Sequence, residues 1–257
     1  MIYNLLREYR QWLEGVYAAQ TAETYYKRLS NLFEGQPLTD TTSRLDIDKV
    51  MEILQGIKYK NHFSQTKNAF LHFCKFQNIN LSVDTLMKIR QLERDTKKKH
   101  RRIKPIDFNE VDKTINHIKN KKLKLCFQVM MATGLRVSEI SSITKDGCIA
   151  LNNNIAFNFV AKGGEKDTII LLQIEYLELT DDIKELIMNA KADKKIFYSA
   201  VYLQMKAKEH GFTCHDLRRI FARLEYKKCG SKVEVAEKMR HTNIKNTSRY
   251  LRCKIKF

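Results

Sequence analysis

The feature that most constrains this chain is the run Glu93–Pro105, ERDTKKKHRRIKP, which carries seven basic and two acidic side chains. Amphipathic helical sequence ends on one side of it, near residue 92, and resumes on the other after Pro105. The chain is therefore expected to form two bodies, residues 1–92 and 106–257, joined by a basic linker, 93–105. A chain of 257 residues is long enough for each body to bury a core. On the linker alone, a solvated lysine-rich surface and a seat for a polyanion are equal readings.

Residues 1–92 read as helices. Leu5, Tyr9, Trp12, Leu13 and Tyr17 recur at three- and four-residue steps, which lays an apolar stripe along one helix face. Thr21 is set to cap a second helix that stops near Gly35-Gln36-Pro37. Asp46 opens a third helix, Ser64 a fourth, and residues 83–93 form a short fifth. Phe63, Phe70, Phe73 and Phe76 are assigned to the core rather than to base stacking.

Beyond the linker, residues 108–120 and 121–133 read as two helices, with Gly134 as the C-terminal stop. Residues 148–173 then change to alternation rich in Ile, Val and Phe. Two turn signals, Asn152-Asn153-Asn154 and Gly163-Gly164, split them into three short antiparallel strands. Helices resume after Thr180. The predicted fold class is mainly α with a small antiparallel β-sheet.

Charge narrows the function. The net charge is +18, a field that favours polyanions, nucleic acid above all. Ribosomal, RNA-binding and membrane-surface proteins share that property. The excess sits in the linker and in residues 215–257, with thirteen basic against four acidic side chains. Neutralising phosphates with such segments releases counterions. The cysteines, Cys74, Cys126, Cys148, Cys214, Cys229 and Cys253, form no C-x-x-C pair and read as reduced intracellular thiols. His210, Cys214 and His215 lie close together, but no second ligand cluster completes a metal site. Neither a signal-peptide core nor a run of eighteen apolar residues occurs, so no membrane span and a cytoplasmic, DNA-associated protein are expected.

Five segments carry chemistry together. ATGLRVSEI sets Arg136 after a helix break, with Glu139 one turn on. VAKGGEKDT puts Lys162 at the lip of the predicted hairpin. HDLRR places His215 and Arg218 three apart on one helix face. MRH and NTSRYL bring His241 and, nine residues later, Tyr250. Arginine forks match phosphate oxygens and stay charged, so a pair can hold a scissile phosphate. Fixed donors must meet the charge that builds on its oxygens. A lysine can protonate the leaving alkoxide. A tyrosine can attack phosphorus and store the bond as an ester, provided a base and nearby cations help a phenol of pKa about 10 to ionise. No carboxylate cluster suited to two magnesium ions appears, which favours a metal-free reaction needing no cofactor. Taken singly, each residue has an ordinary structural reading; their order and spacing carry the argument.

ATGLRVSEI, AKGGEKD, HDLRRIFA and H-x8-Y together resemble the tyrosine recombinase (phage integrase) family, and the N-terminal bundle resembles that family's core-binding domain. The resemblance implies a two-domain C-shaped clamp around DNA. Arg136 and Arg218 would clamp the scissile phosphate, Lys162 would protonate the 5′ oxygen, and His215 would handle the tyrosine proton or bond the phosphate. His241 would bond a phosphate oxygen, Tyr250 would form a 3′-phosphotyrosyl link, and Glu139 would orient the pocket. Strand exchange would run through a Holliday junction between short inverted-repeat sites on double-stranded DNA. The protein would be monomeric in solution and tetrameric on synapsed DNA. Lys97, Lys98, Lys99, Arg101, Arg102 and Arg240 are the expected DNA contacts. Arg240 stands where the family usually has glycine, so a different local turn and an extra phosphate contact are expected there. The short segment after Tyr250 puts tail exchange between protomers in doubt.

Within the family, a recombinase of a mobile element is the first expectation, ahead of a dimer resolvase or a DNA invertase. A tyrosine topoisomerase, a non-catalytic DNA binder derived from a recombinase, and a basic packaging protein are the rivals. The intact set of six residues argues against the second, and the five motifs argue against the third.

Overall fold

The computed structural model describes residues 2–33, 47–97, 105–161 and 164–256. Lys162, Gly163 and the linker residues Lys98, Lys99, Arg101 and Arg102 lie outside the described residues, as do Gly35, Gln36, Pro37 and Asp46. The chain forms two compact units, Met1–Arg102 and Ile103–Phe257.

Among the described residues, unit 1 holds five helices: α1 (Ile2–Val16), α2 (Ala19–Phe33), α3 (Ile47–Gly56), α4 (Lys60–Phe76) and α5 (Val83–Asp95). Their apolar stripes converge, burying Tyr9, Leu13, Leu29, Leu54, Phe63 and Phe70. The buried Tyr9 hydroxyl donates to the Ala69 carbonyl at 3.0 Å, as an enclosed phenol must. Two helix starts differ from the sequence reading. Helix α2 begins at Ala19, because the Ala18 carbonyl already accepts from the Thr21 and Ala22 amides. Helix α4 begins at Lys60, because Tyr59 is extended and bridged to Lys97. Ser64 therefore lies inside α4, where its hydroxyl donates to Glu93 at 2.9 Å. The Lys97 amide donates to the Lys58 carbonyl, so the first residues of the basic run are held on unit 1.

Unit 2 opens with β1 (Ile106–Asp107), α6 (Phe108–Asn116), α7 (Lys121–Thr133) and the single turn α8 (Val137–Ile140). An antiparallel sheet follows: β2 (Cys148–Leu151), β3 (Asn154–Val160) and β4 (Lys166–Leu171), in that order. Then come α9 (Leu177–Met188), α10 (Ala200–Glu209), α11 (Cys214–Cys229), α12 (Lys232–Lys238), α13 (Ile244–Leu251) and β5 (Ile255–Lys256). Helix α7 is central, with Leu123, Leu125, Cys126, Phe127, Val129 and Met130 all buried. Strand β5 pairs in parallel with β1, matching Ile106 to Ile255 and Asp107 to Lys256. The sequence reading expected one small sheet. This second pairing joins segments far apart in the chain and leaves no local pattern to read.

Gly134 ends α7 at φ +64°, and a Cβ there would overlap the Phe221 ring. Gly134→Ala is expected to cost about 1–3 kcal/mol from left-handed strain and overpacking, measured by urea unfolding. Unchanged stability would mean that the ring steps aside freely.

Candidate active site

Three local devices aim the side chains of the site. The first is the turn after Gly134, which leads into α8. There the Arg136 amide donates to Glu139 Oε2 at 2.7 Å, and Arg136 Nη1 meets Glu139 Oε1 at 2.5 Å. The second is the start of α11. Thr213 Oγ1 accepts from the Asp216 amide at 3.2 Å, and Asp216 Oδ2 accepts from the Thr213 amide at 2.9 Å. This reciprocal cap fixes the first turn and with it His215. The third is the Met239–His241 turn into α13, whose start is capped by Asn243.

Arg218, one turn after His215, is fully buried. Its Nη1 donates to the Gly134 carbonyl and its Nη2 to the Met239 carbonyl at 2.5 Å. Nη1 also lies 3.9 Å from Glu139 Oε2. Among the described residues the Nε–H has no hydrogen-bond partner, an unmet donor that calls for an explanation. Burial, then the Arg136 charge, lowers Arg218 to about 10, so it remains a cation at neutral pH.

His241 Nε2 stands 3.4 Å from Arg218 Nη2, and its Nδ1 stands 2.8 Å from Thr247 Oγ1. On α13, three residues beyond Thr247, the Tyr250 hydroxyl reaches His215 Nε2 at 2.9 Å. The Tyr250 ring centroid lies 5.2 Å from both His215 and His241. Burial, followed by the Arg219 and Arg218 charges, lowers the His215 pKa. Burial, followed by Arg218, Arg136 and Arg240, pushes His241 down to about 4. Both imidazoles are thus neutral at pH 7. A neutral His215 whose Nε2 carries no proton accepts the tyrosine hydrogen, which is what a general base requires.

Glu139 is the fully buried floor of the site. Burial raises its carboxyl, but the Arg136 amide and guanidinium, with Arg240, outweigh that and hold it below its ordinary value. Arg240 takes φ +54°, a left-handed conformation that glycine adopts freely and an arginine only at a cost. Its guanidinium, an expected DNA contact, is engaged within the protein: Nη2 donates to Glu139 Oε2 at 3.0 Å and Nε lies 3.4 Å from Asp167 Oδ2.

One cluster of contacts therefore links Arg136, Glu139, His215, Arg218, Arg240, His241 and Tyr250. Lys97 is exposed on unit 1. Thr247 and Asp167 were missed from sequence. Thr247 was findable, since it shares the face of α13 that carries Tyr250; Asp167 left no local sign.

The depressed histidines make stability acid-sensitive. The unfolded chain takes up these protons near pH 6.5, whereas folded His241 resists until about 4. The stabilising contribution is present above 6.5 and is lost as pH falls through that window. After solvent screening, His241 is expected to account for about 1–2 kcal/mol of the loss. Urea unfolding at pH 7 and pH 4.5, native against His241→Asn, reads it: the variant should lose less, and equal losses would refute the assignment.

The family model described as the phage integrase family matches residues 104–255. Tyrosine recombinase XerA of Saccharolobus solfataricus is 30% identical over 162 residues, covering 60% of this chain and 54% of that relative. The chain thus spans about half the length of this curated relative. Among solved structures, a lambda integrase tetramer bound to a Holliday junction is similar over 97% of this chain and 76% of the other, at TM-score 0.67 and 18% identity. The Tn1549 transposon integrase with circular intermediate DNA is similar over 96% and 94%, at TM-score 0.61 and 16% identity. The XerH recombinase bound to its difH substrate is similar over 90% and 75%, at 0.59 and 15%. At such identities these structures establish the likeness of fold.

Proposed function

The chain belongs to the phage integrase family, and from that premise we propose that it is a site-specific recombinase that cuts and rejoins double-stranded DNA through Tyr250. Tyr250 Oη attacks the scissile phosphorus and passes its proton to His215. The O–P bond to tyrosine forms as the bond to the 5′ oxygen breaks. Lys162 supplies the proton that makes this oxygen a hydroxyl, and the DNA is left on the enzyme as a 3′-phosphotyrosyl ester. Rejoining is the same step in reverse, with a 5′ hydroxyl from the partner duplex as nucleophile, so bond energy is conserved without a nucleotide cofactor.

Arg136, 25% of whose side chain is exposed, and His241 meet the phosphate first, and Arg218, fully buried in the free protein, joins them once the arriving duplex uncovers its Nε–H. Fixed donors of this kind meet the charge that builds on the non-bridging oxygens. Lys97, Lys98, Lys99, Arg101 and Arg102 contact backbone phosphates, which position the duplex without reading its sequence. Two exchanges through a Holliday junction, in a tetramer on paired inverted-repeat sites, complete the reaction. The setting we assign is a mobile element; core-type repeats at both ends of the DNA insert carrying the gene would support it, and a single uninterrupted chromosomal site would oppose it.

The observation that carries this reading is the 2.9 Å contact between the Tyr250 hydroxyl and His215 Nε2 beside the buried Arg218. The test is a duplex selected for binding from a random pool and nicked next to the cleavage point, so that the cut end diffuses away. Native protein should accumulate a covalent DNA adduct whose labelled peptide contains Tyr250. Tight binding without adduct at any selected site would leave a non-catalytic DNA binder.

A further inference from the structure

Arg240 occupies a costly backbone conformation, φ +54°, and its side chain accounts for why that cost is borne. The guanidinium carbon lies 5.1 Å over the Phe159 ring of β3. Nε faces Asp167 of β4 at 3.4 Å as an ion pair without hydrogen-bond geometry. Nη2 holds Glu139 at 3.0 Å, and Nη1 donates to the Lys238 carbonyl at 3.3 Å. One cation thus joins both strands of the β3–β4 hairpin to the carboxylate beneath Arg136, across 101 residues of sequence.

Without that cation, the buried Glu139 would lose the guanidinium on its Oε2 and keep Arg136 on Oε1, while Asp167, 37% exposed, would turn to solvent and leave the hairpin untied. With only 16% of its side chain exposed, Arg240 has little surface to offer a duplex. A phosphate would have to displace a carboxylate to reach it.

We propose that Arg240 is a positioning residue: it latches the β3–β4 hairpin to Glu139, so that the strands flanking the reactive loop and the Arg136 guanidinium hold a fixed relation. The proposal rests on the recombinase reading for its effect on cleavage, but the latch itself is measurable without DNA. Glycine accepts this backbone conformation freely, which makes Arg240→Gly the substitution that removes the guanidinium with least backbone disturbance. Arg240→Lys retains a charge that reaches Glu139 without the planar stack on Phe159. Asp167→Asn weakens the hairpin end alone.

In hydrogen exchange, Arg240→Gly should raise the rates of the Asp167–Leu171 amides by about tenfold or more, with Asp167→Asn giving a smaller rise and Arg240→Lys a partial return. On DNA, Arg240→Gly should lower the single-turnover adduct rate by about tenfold or more, with Kd within about twofold of native and Arg240→Lys recovering part of the rate. Unchanged exchange in β4 would overturn the latch whatever the DNA assays give. A weakened Kd together with a salt slope reduced by about one would make Arg240 a phosphate contact instead. Absence of adduct from native protein would sink the recombinase reading and leave the exchange result to judge the latch alone.

Discussion

Tyr250→Phe is expected to abolish the covalent protein–DNA adduct, lowering its rate by at least about 10⁴-fold, as loss of a nucleophile does. The substitution is nearly isosteric. Phenylalanine keeps the ring between His215 and His241, whose centroids lie 5.2 Å away on either hand, and keeps the apolar contacts of Tyr250 with the α11–α13 cluster. What disappears is one partly exposed hydroxyl bond, worth about 1 kcal/mol or less to the fold. DNA affinity should therefore hold while chemistry stops. A tyrosine hydroxyl on a histidine is not distinctive alone: in unit 1, Tyr17 stands 2.9 Å from His72 Nδ1. That pair has Tyr25 stacked on it and lacks a buried arginine beside the hydroxyl, so it has no means of holding a phosphate. Adduct persisting at native level in Tyr250→Phe on a denaturing gel would move the nucleophile elsewhere and end the mechanism given above.

Arg218→Ala should fail twice over. The guanidinium donates to the carbonyls of Gly134 and Met239 and lies beside Glu139, so it ties the end of α7 to the turn beyond α12. Truncation leaves two buried carbonyls unpaired and a buried carboxylate short of a cation, a defect on the scale of about 3–5 kcal/mol. Urea unfolding should read a loss of that size, and a native midpoint would disprove the structural half of the claim. Cleavage should fall by about 10²-fold or more from the missing transition-state donor. Because unfolding would confound that second effect, Arg136→Ala supplies the control. Arg136 keeps 25% of its side chain exposed and spans fewer elements, so the adduct rate should drop comparably at a smaller cost in stability. Native cleavage by Arg136→Ala would remove one arm of the phosphate clamp.

The helices were legible because burial imposes a period, and residues such as Tyr9, Leu13, Leu29 and Phe70 write it into the chain. The β2–β3–β4 sheet was legible because asparagine and glycine turns punctuate alternating segments. Starts were less so: Thr21 and Ser64 are suitable caps by residue type, yet backbone bonds from Ala18 and the Tyr59–Lys97 bridge set the true boundaries. Helix α13 went unread, since IKNTSRYL has only a few apolar residues, and a two-residue strand such as β5 carries no period at all. In the site, Arg136, His215, Arg218, His241 and Tyr250 announced themselves by spacing, and the structure gathers these five. The Glu139–Arg240–Asp167 arrangement did not, because a salt bridge across 101 residues depends on how elements pack. From sequence Arg240 reads as a DNA contact for the same reason.

The pairing of β5 with β1 has a mechanical corollary. Four residues separate Tyr250 from Ile255, and extended chain spans only about 3.5 Å per residue, so the tether behind the phenol has a fixed and short reach. Drawing the ring outward by more than the play in those residues means peeling Ile255–Lys256 from Ile106–Asp107. The load then arrives at the opening strand of unit 2, where the basic linker hands over to the fold. Tension applied at that strand would be conveyed, by the same short path, to Tyr250, the proposed nucleophile.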